Sequence, residues 1–103
     1  MPDKTIALKT PVDWHGKPVT EIVLREPKGS ELRRFGQPLT IVHAKDGMVY
    51  AVEQTEAIAA YADACITHEG GKVLLNMLTL ADALSVNQAI ISFFTDAQKA
   101  TSN

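Results

Sequence analysis

The chain is poor in the residues that usually announce chemistry. It has a single cysteine, Cys65, among 103 residues. One thiol excludes an internal disulfide and fits a reducing compartment. No apolar run approaches the ~20 residues that span a bilayer. The longest, Ala89-Ile90-Ile91-Ser92-Phe93-Phe94, is far too short. The start, Met1-Pro2-Asp3-Lys4, shows no basic stretch followed by an apolar one, so no secretory signal is expected. Basic charge is scarce too. The formal net charge is −2, and Arg33-Arg34 is the one adjacent basic pair. A general nucleic-acid binder would carry a basic stripe, so neither nucleic acid nor membrane is an expected partner. Repeats, linkers and sustained heptads are absent as well.

What is present is a pattern of short strands followed by helices. A chain of this length makes one domain, 1–103, with a core that needs no metal or disulfide. Thr5-Ile6-Ala7-Leu8-Lys9-Thr10-Pro11-Val12-Asp13 and Val19-Thr20-Glu21-Ile22-Val23-Leu24-Arg25 flank a bend at His15-Gly16. They read as a β-hairpin over 5–27. Loop parity selects the faces. An odd loop places Ile6, Leu8, Val12 and Trp14 with Thr20, Ile22 and Leu24, the cleaner apolar set. A three- or five-residue connection is therefore expected. Pro11 falls on the other face with Lys9, Asp13 and Glu21. Proline cannot donate to a ladder, so this part of the strand reads as an edge or a bulge. The second face also carries Ala7, Val19 and Val23, which suit either scattered surface apolar residues or a partner-binding face.

Pro27 breaks the strand. Ser30 is the expected cap of a short helix over 30–35, ended by Gly36 and barred from continuing by Pro38. Leu32 and Phe35 lie one turn apart and are expected to dock on the hairpin. Two β-branched runs around Lys45-Asp46-Gly47 predict a second hairpin over 39–52. Ile41, Met48, Tyr50 and Val52 are expected on one side. It either extends the first sheet or stands out as a flap.

After Thr55, the expected cap, the period becomes helical. Ile58, Tyr61, Ala62, Cys65 and Ile66 form one stripe, with Gly70-Gly71 as its expected end. A turn or two follows at 72–78. Thr79-Leu80-Ala81-Asp82 then has the spacing of a capping box. The last helix is expected to bury Leu80, Ala83, Leu84, Asn87, Ile91 and Phe94, widened by Val86, Ile90 and Phe93. The helical part spans 55–94, and 95–103 is expected to fray. The class is α+β: antiparallel N-terminal hairpins, a short helix and a C-terminal helical part.

Candidate chemistry is thin. Cys65 and His68 are three apart on the expected helix, a spacing that suits a nucleophile pair or half a metal site. The plainer reading is a buried small hydrophobe and a cation in the last helical turn. His15 and His43 add no paired ligand spacing. The carboxylates Asp13, Glu21, Glu53 and Glu56 fall in solvated positions. Gly70-Gly71-Lys72 lacks phosphate-loop spacing and follows a helix. No catalytic, cofactor or metal residue is assigned, and no cofactor is expected. Phe93-Phe94 points two rings about 100° apart. Either the helix is broadly covered or one ring anchors another chain. Val19, Val23, Phe93 and Phe94 are thus the candidate partner-binding residues.

Several of these stretches together resemble one family. The opening TIALKTPVDWHGKPVTEIVLREP, then GSELRR with FGQPL, and the closing LTLADAL with AIISFF are similar, in order, to the Mu-like phage tail assembly chaperones. The matching positions include Gly16, Leu24, Pro27, Leu32, Gly36, Pro38, Leu80 and Asp82. Two stretches depart from the family pattern: His68-Glu69-Gly70-Gly71-Lys72, where a Gly-x-Pro-Pro link is common, and Ala83, where an aromatic is common. The resemblance implies a non-catalytic protein, not an enzyme. It implies that such a protein binds the long tape measure protein and keeps it soluble. It also implies help in tail tube assembly, with the tail tube protein a possible further partner. The implied location is the host bacterial cytoplasm, with the protein absent from the mature virion. Residue patterns leave two rivals: a structural or homo-oligomeric adaptor of the tail, and a small enzyme using Cys65.

Overall fold

Parity sets the first hairpin, by a route that differs from the expected one. The computed structural model describes residues 3–101. Strands β1 (Lys4–Trp14) and β2 (Lys17–Leu24) pair antiparallel. Trp14 faces Lys17, so only His15 and Gly16 turn the chain, with φ of 52° and 81°. Both residues are left-handed, as the tightest hairpin turn demands. The loop is therefore even, not odd. The extra residues sit within β1: Ala7 faces Glu21 but Val12 faces Val19, so the register jumps between them. Pro11 lies in this bulge, where its missing N–H costs no ladder bond. The bulge performs the parity change assigned above to the loop. Ile6, Leu8, Val12, Ile22 and Leu24 all reach the core, while Thr20 stays exposed.

Helix α1 (Gly29–Phe35) follows. Its cap is Lys28, not Ser30. The Lys28 N–H donates to the Glu31 carboxylate at 2.8 Å, so the glutamate closes the helix start from within. Gly36 ends it at φ 78°, donating to the Leu32 carbonyl at 2.9 Å. Leu32 does not dock on the hairpin and is 40 % exposed. Glu31 faces inward in its place. It forms a two-pronged ion pair with Arg25 at 2.9 and 2.6 Å, and Arg25 also donates to the Ala64 carbonyl. This hub ties the end of β2, α1 and the following helix together.

Strands β3 (Leu39–His43) and β4 (Val49–Glu53) form a second sheet, separate from the first. Ala44 donates to Met48 at 2.8 Å across the three-residue loop Lys45-Asp46-Gly47, with Gly47 at φ 86°. Ile41 faces Ala51 and Val42 faces Tyr50. Ile41 therefore shares a face with Val49, and Tyr50 and Val52 share the opposite face with Val42. The single-sided grouping of Ile41 with Tyr50 and Val52 fails because an odd loop reverses their relative parity. Of the two placements left open, the hairpin stands out as a flap.

Helices α2 (Thr55–Cys65), α3 (Gly71–Leu75) and α4 (Leu80–Thr101) complete the chain. The α2 stripe of Ile58, Tyr61, Ala62 and Cys65 is buried as its spacing predicts. Its cap is Gln54, one residue before Thr55. The helix stops at Cys65, short of Gly70-Gly71, because the next residues leave it to join β2. Arg25 N–H donates to the Cys65 carbonyl at 2.9 Å, and Thr67 N–H donates to the Val23 carbonyl at 3.0 Å. Ile66 bridges Leu24.

On α4 the buried residues are Asp82, Val86, Ile90 and Phe93. Leu80 and Leu84 are 77 % and 52 % exposed. The inward line is rotated from the expected one because Asp82 is held inward. Thr79 caps the helix, and Asp82 N–H donates to its hydroxyl at 3.3 Å. The helix also continues through Thr101, so residues 95–101 are helical, not frayed. The rest of that expected tail, 102–103, lies outside the described residues. The core gathers side chains from β1, β2, α2, α3 and α4, and none from β3 or β4. The radius of gyration, 15.1 Å, exceeds the ~13 Å of a compact chain this long, as a projecting element requires.

Candidate interaction surfaces

Bulge formation strands two backbone donors, and α4 answers them. Lys9 N–H and Thr10 N–H donate to the two oxygens of Asp82 at 2.9 and 3.2 Å. The Thr79 hydroxyl donates to the same carboxylate at 3.2 Å. These donors hold the Asp82 pKa below its usual value, the backbone bond from Lys9 most of all. One side chain thus starts α4, fixes its rotation and secures the bulge. The capping spacing was legible in the sequence. The reach across to β1 was not, because it joins residues 72 and 73 positions apart.

The candidate partner residues fall into two places. Val19 and Val23 are half-buried and line an open groove of about 450 Å³ beside Trp14, Thr67 and His68. The His68 Nδ1 accepts the Gly70 N–H at 2.9 Å. The Trp14 ring stands edge-on to His68, 5.6 Å between centroids, and its Nε1 is enclosed without an acceptor. Gly70 lies so close beneath that ring that a Cβ there would sit 2.9 Å from it.

Phe93 and Phe94 lie elsewhere. Phe93 is buried, with the Lys4 ammonium 5.1 Å from its ring centre. Phe94 is half-buried against Tyr61, 4.9 Å between centroids. Both rings and Pro27 line a crevice of only about 50 Å³. The structure does not unite the two pairs into one surface, and the phenylalanines serve mainly the core.

Of the other positions quoted for the resemblance, Gly16, Leu24, Gly36 and Pro38 serve the fold. Gly16 makes the first turn, and Leu24 is wholly buried. The Gly36 carbonyl accepts the Tyr61 hydroxyl at 2.6 Å. Buried Pro38 offers its carbonyl to Gln54 N–H at 2.8 Å, anchoring the base of the second hairpin. Leu32 and Leu80 are exposed.

Cys65 is wholly buried, and burial pushes its thiol up to about 11. The thiolate, the reactive form, is therefore scarce at neutral pH. Cys65 and His68 do not share a helical face, because α2 ends at Cys65. Among the described residues no three His, Cys, Asp or Glu side chains are grouped to hold a metal ion. No helix among them is long and apolar enough to cross a membrane.

Exposed apolar side chains also gather on the second hairpin, outside the candidate partner residues. Ile41, Val42, Met48, Val49, Tyr50 and Val52 are each 42–56 % exposed, on both faces of the β3–β4 hairpin. They are divided between its two faces, Ile41 and Val49 on one, Val42, Tyr50 and Val52 on the other. Val73, Met77, Leu80 and Leu84 add further exposed apolar side chains around α3 and the start of α4. No protein-family model, curated protein or solved structure matches this chain.

Proposed function

We propose that this domain is a tail assembly chaperone of the Mu-like phage class. It binds segments of the tape measure protein through exposed apolar surface, keeps them soluble, and assists assembly of the tail tube. The observation that carries the reading is the β3–β4 hairpin. Six large apolar side chains stand open on an element that contributes nothing to the core. A holdase needs such an element, because its apolar contacts must compete with self-association of the client. The core takes no side chain from β3 or β4, so contact with a client need not disturb it. An amphipathic helical client would lay its apolar stripe on such a surface. Weak contacts repeated along a long client add up through multivalency.

Co-expression tests the reading. The tape measure protein should move into the soluble fraction when this chain is present and should co-purify with it. A Val49→Ser/Tyr50→Ser variant should lose that effect while keeping its fold by circular dichroism. Equal insolubility with and without the wild-type chain sinks the proposal. The rival reading is a structural or homo-oligomeric tail adaptor, favoured by the open strand edges of the same hairpin. Purified virions separate the two: a chaperone is missing from them, an adaptor is present.

A further inference from the structure

The outer edge of β4 has no neighbouring strand in this chain. Hydrogen bonds in an antiparallel ladder alternate, so one bonded pair fixes all the others. Ala44 N–H bonds to the Met48 carbonyl, and Gln54 N–H bonds to the Pro38 carbonyl. The residue pairs 42/50 and 40/52 therefore carry the inner bonds. It follows that Val49, Ala51 and Glu53 point their N–H and C=O groups away from β3. All five residues of β4 are exposed. The edge is lightly guarded: β4 holds no proline, no lysine and no bulge, and its one charged residue, Glu53, stands at its end.

We propose that two copies of this chain associate through antiparallel β4–β4 pairing about a two-fold axis at Ala51. This inference does not rest on the chaperone reading. Centred there, Ala51 faces its own copy and Val49 faces the partner copy's Glu53. All three outward residues of each strand find bonding partners. Tyr50 falls beside Val52 of the other copy, an aromatic–β-branched pair of the favoured kind. The two Glu53 carboxylates lie at opposite ends, so like charges never meet. A two-fold contact requires this self-complementarity.

The β3 edge is the poorer choice. Leu39 is half-buried at the hairpin base, so a strand alongside would meet the body. The same symmetry about Ile41 would also set polar Thr40 beside Val42, and His43 beside Leu39. Pairing through β4 turns two marginal two-stranded hairpins into one four-stranded sheet. Its faces carry the side chains of both copies, with Val42, Tyr50 and Val52 of each on one side.

Area sets the strength. A five-residue edge buries roughly 300–400 Å² per copy, against about 800 Å² in a standard interface. The dimer is therefore weak and concentration-dependent.

Sedimentation velocity on the full chain, from about 5 to 500 µM, reads the association directly. The wild type should shift from monomer toward dimer across that range. Ala51→Pro keeps the β3–β4 ladder, because its lost N–H points outward, and should weaken dimerisation at least about tenfold. Ile41→Pro, the matching change on the other edge, should leave the dimer intact. Ala51→Cys supplies a readout free of folding questions. Facing residues of a bonded pair lie about 5.5 Å apart at Cα, within disulfide reach. Mild oxidant should link two Ala51→Cys chains, while buried Cys65 stays unlinked. A wild type that remains monomeric at the highest concentration, a dimer lost with Ile41→Pro and kept with Ala51→Pro, or an Ala51→Cys chain that never cross-links would each overturn the proposal.

Discussion

Replacing Glu31 with glutamine should cost this fold measurable stability, in a way that depends on pH. The Glu31 carboxylate accepts two bonds from Arg25 and one from the Lys28 N–H. Glu31 is 8 % exposed. The Arg25 guanidinium, first among the causes, takes its pKa from 4.5 down to about 2. At ~1.4 kcal/mol per pH unit, that drop corresponds to about 3 kcal/mol as an upper bound. The Arg25 side chain is 32 % exposed, so water screens part of the pair. The expected loss is about 1–2 kcal/mol at pH 7, or a fall of ~5–10 °C in Tm for a domain of this size.

The sign follows from the depressed pKa. The contribution is whole above about pH 4.5 and disappears as pH falls toward 2. Urea unfolding of wild type and Glu31→Gln from pH 7 to pH 2 checks this. The gap should stay level from pH 7 to 5, narrow below about 4.5 and nearly close by pH 2. No gap at pH 7, or a gap that stays level down to pH 2, would refute the reasoning. It would also show that the hub joining β2, α1 and α2 is not held by this carboxylate.

Two further substitutions probe the remaining joints. Asp82→Ala removes the acceptor for the Lys9 and Thr10 amides. Hydrogen exchange at those two amides should quicken at least about tenfold in the variant at neutral pH. In the wild type the protection should fade as acid protonates Asp82, whose depressed pKa makes its contribution a neutral-pH one. Gly70→Ala drives a Cβ to within 2.9 Å of the Trp14 ring and 3.0 Å of the Leu74 Cβ. The expected cost is about 1–3 kcal/mol, with a shift in the emission of Trp14, the one tryptophan. Unchanged stability and emission would mean that Trp14 does not pack on the start of α3.

The elements themselves were largely written in local sequence. Two hairpins, a short helix ended by Gly36, the α2 stripe and the Thr79–Asp82 capping box follow from two- and 3.6-residue periods and from turn residues. Even the bulge was foreshadowed, since Pro11 cannot serve a ladder. Those signals act over a few residues, so the sequence alone determined them.

Tertiary structure decided the rest, because the deciding partners lie far apart along the chain. A two-residue turn with a bulge and an odd loop without one give the same faces only beyond the bulge; between turn and bulge Val12 lies opposite Val19, not on a face with Thr20. The extra residues belong to β1, where the Asp82 carboxylate, anchored on α4, takes up the Lys9 and Thr10 amides they strand. The same anchor rotated α4, leaving Leu80 and Leu84 open and turning Val86 and Ile90 inward. The pairing of Cys65–Thr67 with β2 cut α2 short of its glycines. Most consequential, β-branched patterning marked 39–52 as a hairpin without saying whether a second layer covers it. None does, and a strand's period cannot reveal the absence of a neighbour.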